Sequence, residues 1–245
     1  MNLHKYYTRL PSPIKDMVRL GLHFVGRYRR KTFSQEGEDI LLARFLENKK
    51  TGFYVDVGAH HPSSCSNTYY FYRKGWRGIN IDAMPDSMRL FNLIRPRDIN
   101  LEIAISDKKE VLEFHSFNNP LFNSADRELV EARRAEFNEA PGKHNVFQVQ
   151  ADTLESILEK NLPSGISIDF LSIDVEGLDL KVLKSNDWSR FRPKYILVEI
   201  LGQSMNSLPG TETYRFLSGI GYEPVSKLVH TVVFMENNPH GVAYR

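Results

Sequence analysis

Several absences narrow the reading before any motif is considered. The 245 residues include a single cysteine, Cys65, so neither an internal disulfide nor a cysteine-based zinc cluster can form. No apolar run approaches the roughly 20 residues that a membrane-spanning helix needs. The first apolar stretch is broken by Arg19, His23 and Arg27, which excludes a secretory hydrophobic region. Charge of one sign does not dominate, since 32 Lys+Arg stand against 30 Asp+Glu. Internal repeats and low-complexity linkers are also missing. What is left is an ordinary globular composition with enough chain for one sizeable core. The default compartment for such a chain is the cytoplasm.

The balanced charge is unevenly spread. Residues 1–32 hold eight of the basic residues and one acid, Asp16, leaving 24 Lys+Arg against 29 Asp+Glu in the remainder. Within this arm, Ile14, Met17, Val18, Phe24, Val25 and Tyr28 recur at helical spacing. A basic amphipathic N-terminal helix is expected, either packed with a solvated basic face or in peripheral contact with an anionic membrane surface, the inner membrane face. Nucleic acid is not the expected partner, because the rest of the chain is net acidic. The domain boundary is placed at 32/33, with residues 33–245 as the main body.

In the body, Ser34 followed by an acid-rich turn and the apolar run from Ile40 marks a helix start. Strand-like runs occupy 53–57, 77–81, 99–105, 168–173 and 195–200, with helical patterns at 66–74, 85–94, 153–160 and 178–187 between several of them. This alternation predicts an α/β fold, a doubly wound, mostly parallel sheet covered on both faces. The tail reads as a helix over 213–220, an extended segment over 222–227 and a strand over 230–235, a terminal antiparallel hairpin. Residues 117–147 fit the alternation poorly. Turn-rich sequence precedes a charged helix over 125–139, an insertion suited equally to a lid or acceptor loop and to a passive surface excursion.

In doubly wound sheets, ligands bind beyond the carboxyl ends of the strands. Those ends carry Asp56, Asp82, Asp174 with Glu176, and Glu199, and such a cluster of like charges calls for a cationic ligand or metal. Gly58 is followed by Ala59-His60-His61-Pro62, so the later glycines of a dinucleotide cradle are missing, as is the lysine of a phosphate loop. An oxidoreductase is disfavoured on that ground. One close backbone approach at Gly58, with acids at Asp56 and Asp82, suits an adenosine cofactor without a phosphate. S-adenosylmethionine, a cation, is the candidate.

The chain resembles the FkbM family of S-adenosylmethionine-dependent methyltransferases. The resemblance rests on Phe33-Ser-Gln-Glu-Gly-Glu-Asp39, Phe53-Tyr-Val-Asp-Val-Gly-Ala-His-His-Pro62, the stretch from Ser66 to Ile79, Leu171-Ser-Ile-Asp-Val-Glu-Gly177 and, more weakly, His230-Thr-Val-Val-Phe234. It implies the class I methyltransferase fold, with a seven-stranded Rossmann-like sheet. It further implies that Asp56, Gly58 and Ala59 hold the cofactor, that Asp82 holds its ribose, and that Ser106 and Asp107 flank its adenine. Gln35, His60, Asn67 and Thr68 are implied as further lining. Such enzymes act mostly on hydroxyls of sugars and polyketide natural products.

Methyl transfer to a sugar hydroxyl benefits from a general base within hydrogen-bond reach. Asp174 is the first choice, with Glu176 and Glu199 behind it. Alternatively, Asp174 and Glu199 hold a divalent ion such as Mg²⁺ that acidifies the hydroxyl. The structural alternative has Glu176 opening the next helix and Glu199 in an ion pair. His60 or His61 is a further base candidate, although both residue types commonly serve as loop or pocket residues. Asn119-Pro-Leu-Phe122 is read as a chance echo of an amino-methyltransferase motif, Tyr69–Tyr72 as core and Cys65 as a bystander. The leading expectation is an O-methyltransferase of a saccharide or glycan acceptor, a surface polysaccharide or a secreted saccharide, with the arm near lipid-linked acceptors. The alternatives are a polyketide-type acceptor or a non-catalytic binding module. Oligomeric state is left open.

Overall fold

The computed structural model describes residues 11, 13–15, 17, 31–46, 49–117, 122–136 and 145–237. The chain divides into two compact units, residues 1–32 and 33–245. In the first unit, the described part of the arm is helical at residues 13–15 and 17, with Ile14 and Met17 exposed. The rest of the predicted arm helix lies outside the described residues.

The second unit runs α1 (Glu38–Phe45), β1 (Phe53–Val57), α2 (Tyr69–Arg73), β2 (Arg77–Asp82), α3 (Ser87–Ile94), β3 (Ile99–Glu102), β4 (Ala104–Ile105) and β5 (Glu110–Ser116). It continues with α4 (Arg127–Glu136), β6 (Asn145–Asp152), α5 (Leu154–Asn161), β7 (Phe170–Ile173), α6 (Asp179–Lys184), β8 (Tyr195–Glu199), α7 (Glu212–Gly219), β9 (Tyr222–Lys227) and β10 (Thr231–Glu236). Seven strands form the main sheet in the order β3-β2-β1-β7-β8-β10-β9. The first five are parallel, and β10 runs antiparallel to both neighbours. The predicted hairpin therefore places its second strand inside the sheet and leaves β9 at the edge. Strand order reverses between β1 and β7, which opens a crevice at their carboxyl ends.

Strand parity sorts the core into two layers. Phe53, Val55 and Val57 join Ile79, Ile81, Leu171, Ile173, Ile196 and Val198 against Leu154, Ile157 and Leu158 of α5, Val182 of α6 and Leu217 of α7. Tyr54, Phe170, Leu197 and Val233 face the other way, onto Leu42 of α1 and the aromatic segment Phe71, Tyr72 and Trp76. The reading of Tyr69–Tyr72 as core thus holds for Phe71 and Tyr72, with Tyr69 and Tyr70 half-buried.

Two local readings are corrected. The helix after Ser34 starts only at Glu38, because Asp39 instead bonds back to the Phe33 amide (2.8 Å) and the Ser34 hydroxyl (3.0 Å), with Gly37 left-handed at φ 89°. The single strand read over 99–105 is two. Ile103 N donates to Asp82 O (3.0 Å), closing the last main-sheet contact, and β4 then joins a second sheet of order β4-β6-β5. The segment read as an insertion lies mostly between β5 and β6, and its helix α4 spans Arg127–Glu136, with residues 137–144 outside the described residues.

Under β1 lies a buried charge network. The Arg95 guanidinium, with no exposed surface, donates to Asp98 (2.8 Å), the Thr68 hydroxyl (3.0 Å) and the Tyr54 hydroxyl (2.9 Å). Asp98 also accepts from Gly78 N (3.0 Å), the Tyr54 hydroxyl (2.8 Å) and Asn80 Nδ2 (3.1 Å). Burial alone would disfavour the Arg95 charge, but its partners outweigh that and raise its pKa further. Removing one member of a buried pair strands the other. Arg95→Ala is therefore expected to cost about 3–5 kcal/mol in urea denaturation, and a loss below about 1 kcal/mol would contradict this account of the network.

Candidate functional site

A cavity of about 330 Å³ opens at the carboxyl ends of β1, β2 and β7. Its floor is Val57, Gly58 and Ile81. One side is apolar, formed by Met84, Ile103, Ala104 and Ile105 together with Leu112 and Phe114 of β5. Gln35, His60 and Cys65 lie on another side, and Ser116, Asn123, Ala125, Asp174, Val175 and Glu176 complete the wall.

Gly58 is required by the crossing of two chain segments. It sits at φ 83°, and a Cβ there would lie 1.7 Å from the Asp174 carbonyl oxygen, so the turn after β1 passes directly over the exit of β7. Gly58 N and Ala59 N both donate to Ile81 O, at 2.9 and 3.0 Å, tying that turn to β2. Asp82 is held in place by the same turn. Its Oδ2 accepts from His60 N and its Oδ1 from Met84 N, each at 2.8 Å. Burial pushes its carboxyl up, against the pull of those two amides. Each oxygen retains acceptor capacity for a hydroxyl in the cavity.

At the other end, Asp174, Glu176 and Glu199 each offer an oxygen within 4.8 Å of the others'. Asp174 Oδ1 is buried and has no hydrogen-bond donor among the described residues. Burial, then the charges of Glu199, Asp179, Glu176 and Asp56, push its carboxyl well above the usual range. The loop that presents it is bent twice into left-handed backbone, at Glu176 (φ 53°) and Gly177 (φ 107°). A side chain at Gly177 would come within 2.8 Å of Asp126. Two anchors hold the bend. The Ser124 hydroxyl donates to Glu176 O (2.7 Å), and Asp179, pushed up to about 6 by burial, accepts from Val175 N and Gly177 N, both at 3.3 Å.

Of the residues expected from the sequence, Gln35, Gly58, His60, Asp82, Asp174 and Glu176 line the cavity, and Glu199 reaches its acidic end. The others lie elsewhere. Asp56 shares the parity of Tyr54, so it points into the opposite layer, where it accepts from Thr68 Oγ1 (2.8 Å) close to Arg95. Thr68 is wholly buried in that contact, and Asn67 Nδ2 donates to Ser172 (3.0 Å). Ala59 packs on Met88 and Phe91 behind the turn. Ser106 is buried and donates to Glu110 (2.7 Å), while Asp107 is exposed, so the lining after β3 is Ile103–Ile105, immediately before them. His61 serves its own loop, its Nδ1 accepting from Ser63 N (3.1 Å) and Ser64 N (3.0 Å). Asn119 to Leu121 lie outside the described residues. The missed lining includes Leu112, Phe114 and Ser116 of β5. The sequence Glu110-Val-Leu-Glu-Phe-His-Ser116 does not alternate cleanly between apolar and polar residues, so it carried no clear strand signal.

These residues fit S-adenosylmethionine. Asp82 suits ribose hydroxyls, the apolar side suits a flat base, and the unpartnered Asp174 oxygen with its acidic neighbours suits a cation. The same three carboxylates form an oxygen-only donor set of the kind that holds Mg²⁺ or Ca²⁺.

A family model described as the Methyltransferase FkbM domain matches residues 56–224, more than half of the chain. Among curated proteins, the secreted chitinase LysM12 of Penicillium expansum is 24% identical over 153 residues, an alignment that covers 57% of this chain. The match spans about 10% of that protein's length. A solved methyltransferase structure from Geobacter sulfurreducens aligns over 94% of both chains at 13% identity, with a TM-score of 0.38.

Asp174 gives a stability test independent of activity. A carboxyl whose folded pKa exceeds its unfolded value binds its proton more tightly when folded, so its ionised form opposes folding at high pH. Asp174→Asn is therefore expected to melt above wild type at pH 8, with the gap closing as pH falls below the ordinary carboxylate range. An equal or lower melting temperature at pH 8 would refute the strained carboxylate.

Proposed function

The chain belongs to the FkbM methyltransferase domain family, and from that premise we propose that it is an S-adenosylmethionine-dependent O-methyltransferase acting on a hydroxyl of a saccharide or glycan. The observation that carries the reading is one cavity with two chemically different ends. Asp82, oriented by two amides beside an apolar wall, occupies one, and the acidic cluster occupies the other. The polar side chains at the acidic end, Ser116, Asn123 and Glu176, suit a hydroxyl-rich acceptor better than an apolar polyketide. The relative named as a chitinase points the same way, weakly.

When bound, S-adenosylmethionine supplies a methyl group already activated on a sulfonium. Asp82 accepts from the ribose hydroxyls, and Ile103–Ile105 with Leu112 and Phe114 exclude water from the base. A cation bound at this end would lower the raised pKa of Asp174, whose ionised oxygen would then take the acceptor's hydroxyl proton. Glu176 and Glu199 orient the acceptor through its neighbouring hydroxyls. A second reading, favoured by the unpartnered Asp174 oxygen, places Mg²⁺ on Asp174, Glu176 and Glu199, where it would acidify the same hydroxyl. The arm of residues 1–32 is proposed as a membrane-contacting element of the chain.

The test is methyl transfer from isotopically labelled S-adenosylmethionine to a panel of saccharides, with product read by mass and with Mg²⁺ present or chelated. Asp174→Asn is expected to lower turnover by about 100-fold or more while affinity for S-adenosylhomocysteine, which lacks the sulfonium charge, stays within a few-fold. Loss on chelation would select the metal reading. Turnover of polyketide hydroxyls alone would replace the acceptor class, and a bound cofactor with no acceptor turned over would favour a binding module.

A further inference from the structure

The edge of the sheet opposite the cavity is as strongly charged as the cavity rim, with the other sign. Lys49 and Lys50 precede β1, Arg73 and Lys74 end α2, Arg77 opens β2 and Arg97 precedes β3, and all six are exposed. They are contiguous. Arg77 N donates to Gly52 O (3.3 Å), joining the starts of β1 and β2, and Arg97 Nη2 donates to Tyr72 O (2.6 Å), joining the start of β3 to the end of α2. The acids at the same strand starts are withdrawn from the surface. Asp98 is buried in the Arg95 network, and Asp169, largely buried, is bonded to Lys49 and to Phe53 N. The net acidity of residues 33–245 therefore conceals a segregation, with carboxylates at the carboxyl ends of β1, β2, β7 and β8 and exposed cations at the amino ends of β1, β2 and β3.

We propose that this amino-terminal edge is a docking surface for an anionic phospholipid bilayer. Five cations on one edge, beside Lys49 in its pair with Asp169, give the Coulombic attraction such a surface requires. Aromatic rings lie under three of them: Lys74 over Tyr70 (4.4 Å), Arg97 over Tyr72 (4.1 Å) and Arg73 over Phe33 (5.5 Å). Rings already covered by the protein's own cations are poor platforms for stacking bases, which disfavours single-stranded nucleic acid. The first unit supplies a second feature of bilayer binding, in a helical segment with Lys15 beside Ile14 and Met17, whose side chains are 45% and 73% exposed. Docked by this edge, the protein would carry its cavity about 20 Å from the lipid, one strand length away, open to a soluble or long-reaching acceptor. The proposal does not depend on the catalytic reading, because none of the six cations lines the cavity.

The experiment is co-sedimentation of the full chain with phosphatidylcholine vesicles, with and without phosphatidylglycerol. Wild type is expected to bind only the phosphatidylglycerol vesicles, and binding should fall with salt. The variant Lys50→Glu/Lys74→Glu/Arg77→Glu is compared with Lys108→Glu/Lys181→Glu/Lys184→Glu, which changes net charge equally at exposed positions elsewhere. At about fivefold per cation removed, the first is expected to lose about 100-fold in affinity and the second much less. Melting curves and S-adenosylhomocysteine titration report whether each variant is folded, and Lys→Gln versions at the same positions provide a milder series if the reversals fail to fold. Equal losses in the two triple variants, or no binding by wild type, would overturn the proposal. So would tighter binding of an oligonucleotide than of vesicles through the same residues.

Discussion

A guanidinium removed from water must be paired, and in this protein the pairing of Arg95 draws four elements together. Through Tyr54, Thr68, Asp98 and Phe91 it touches β1, the start of α2, the entry to β3 and the helix that precedes it. Thr68 relays the contact to Asp56 on β1. The turn after β1 carries Gly58 and orients Asp82 through the His60 amide, so the cavity floor inherits its position from this network. A buried ion pair contributes little net stability compared with apolar packing, but it strongly penalises any arrangement that leaves a member unpaired. Its value here is in specifying where β1, α2 and α3 meet.

At the opposite end of the cavity the constraint is reversed. Asp174 is buried among like charges and has an oxygen without a donor among the described residues, which disfavours its ionised form. Glu176 adds left-handed backbone, a conformation that non-glycine residues adopt at a cost of about 1–3 kcal/mol. The segment around Ser124 and the carboxyl of Asp179 hold that loop in place. Such features persist where the surroundings over-determine them, and a cationic ligand would relieve the charge. The site is thus less stable than an apolar core would be, and the strain is concentrated where a positively charged reactant is expected to lie.

Much of the fold was legible because both faces of the sheet are covered. Runs such as Phe53–Val57 and Phe170–Ile173 are buried at every position, and turn residues bound them clearly. The rim carboxylates followed from strand ends alone. Asp56 misled for a reason visible only with parity assigned: a strand buried on both faces does not announce which side each residue faces, and Asp56 lies with Tyr54. Thr68 and Asn67 share that misplacement, since they bond to the same layer. The second sheet was missed because its strands are short or distant in sequence, and β4 continues without a turn signal from β3. The amino-edge cations escaped notice because net charge sums over a surface that the fold separates.

Calorimetric titration with S-adenosylmethionine and S-adenosylhomocysteine, on wild type and Asp82→Ala, tests the central claim most directly. The account predicts binding of both to wild type, weakened about 100-fold in the variant by the loss of two charge-assisted hydrogen bonds. Absence of binding to a folded wild type, or equal binding to the variant, would contradict it.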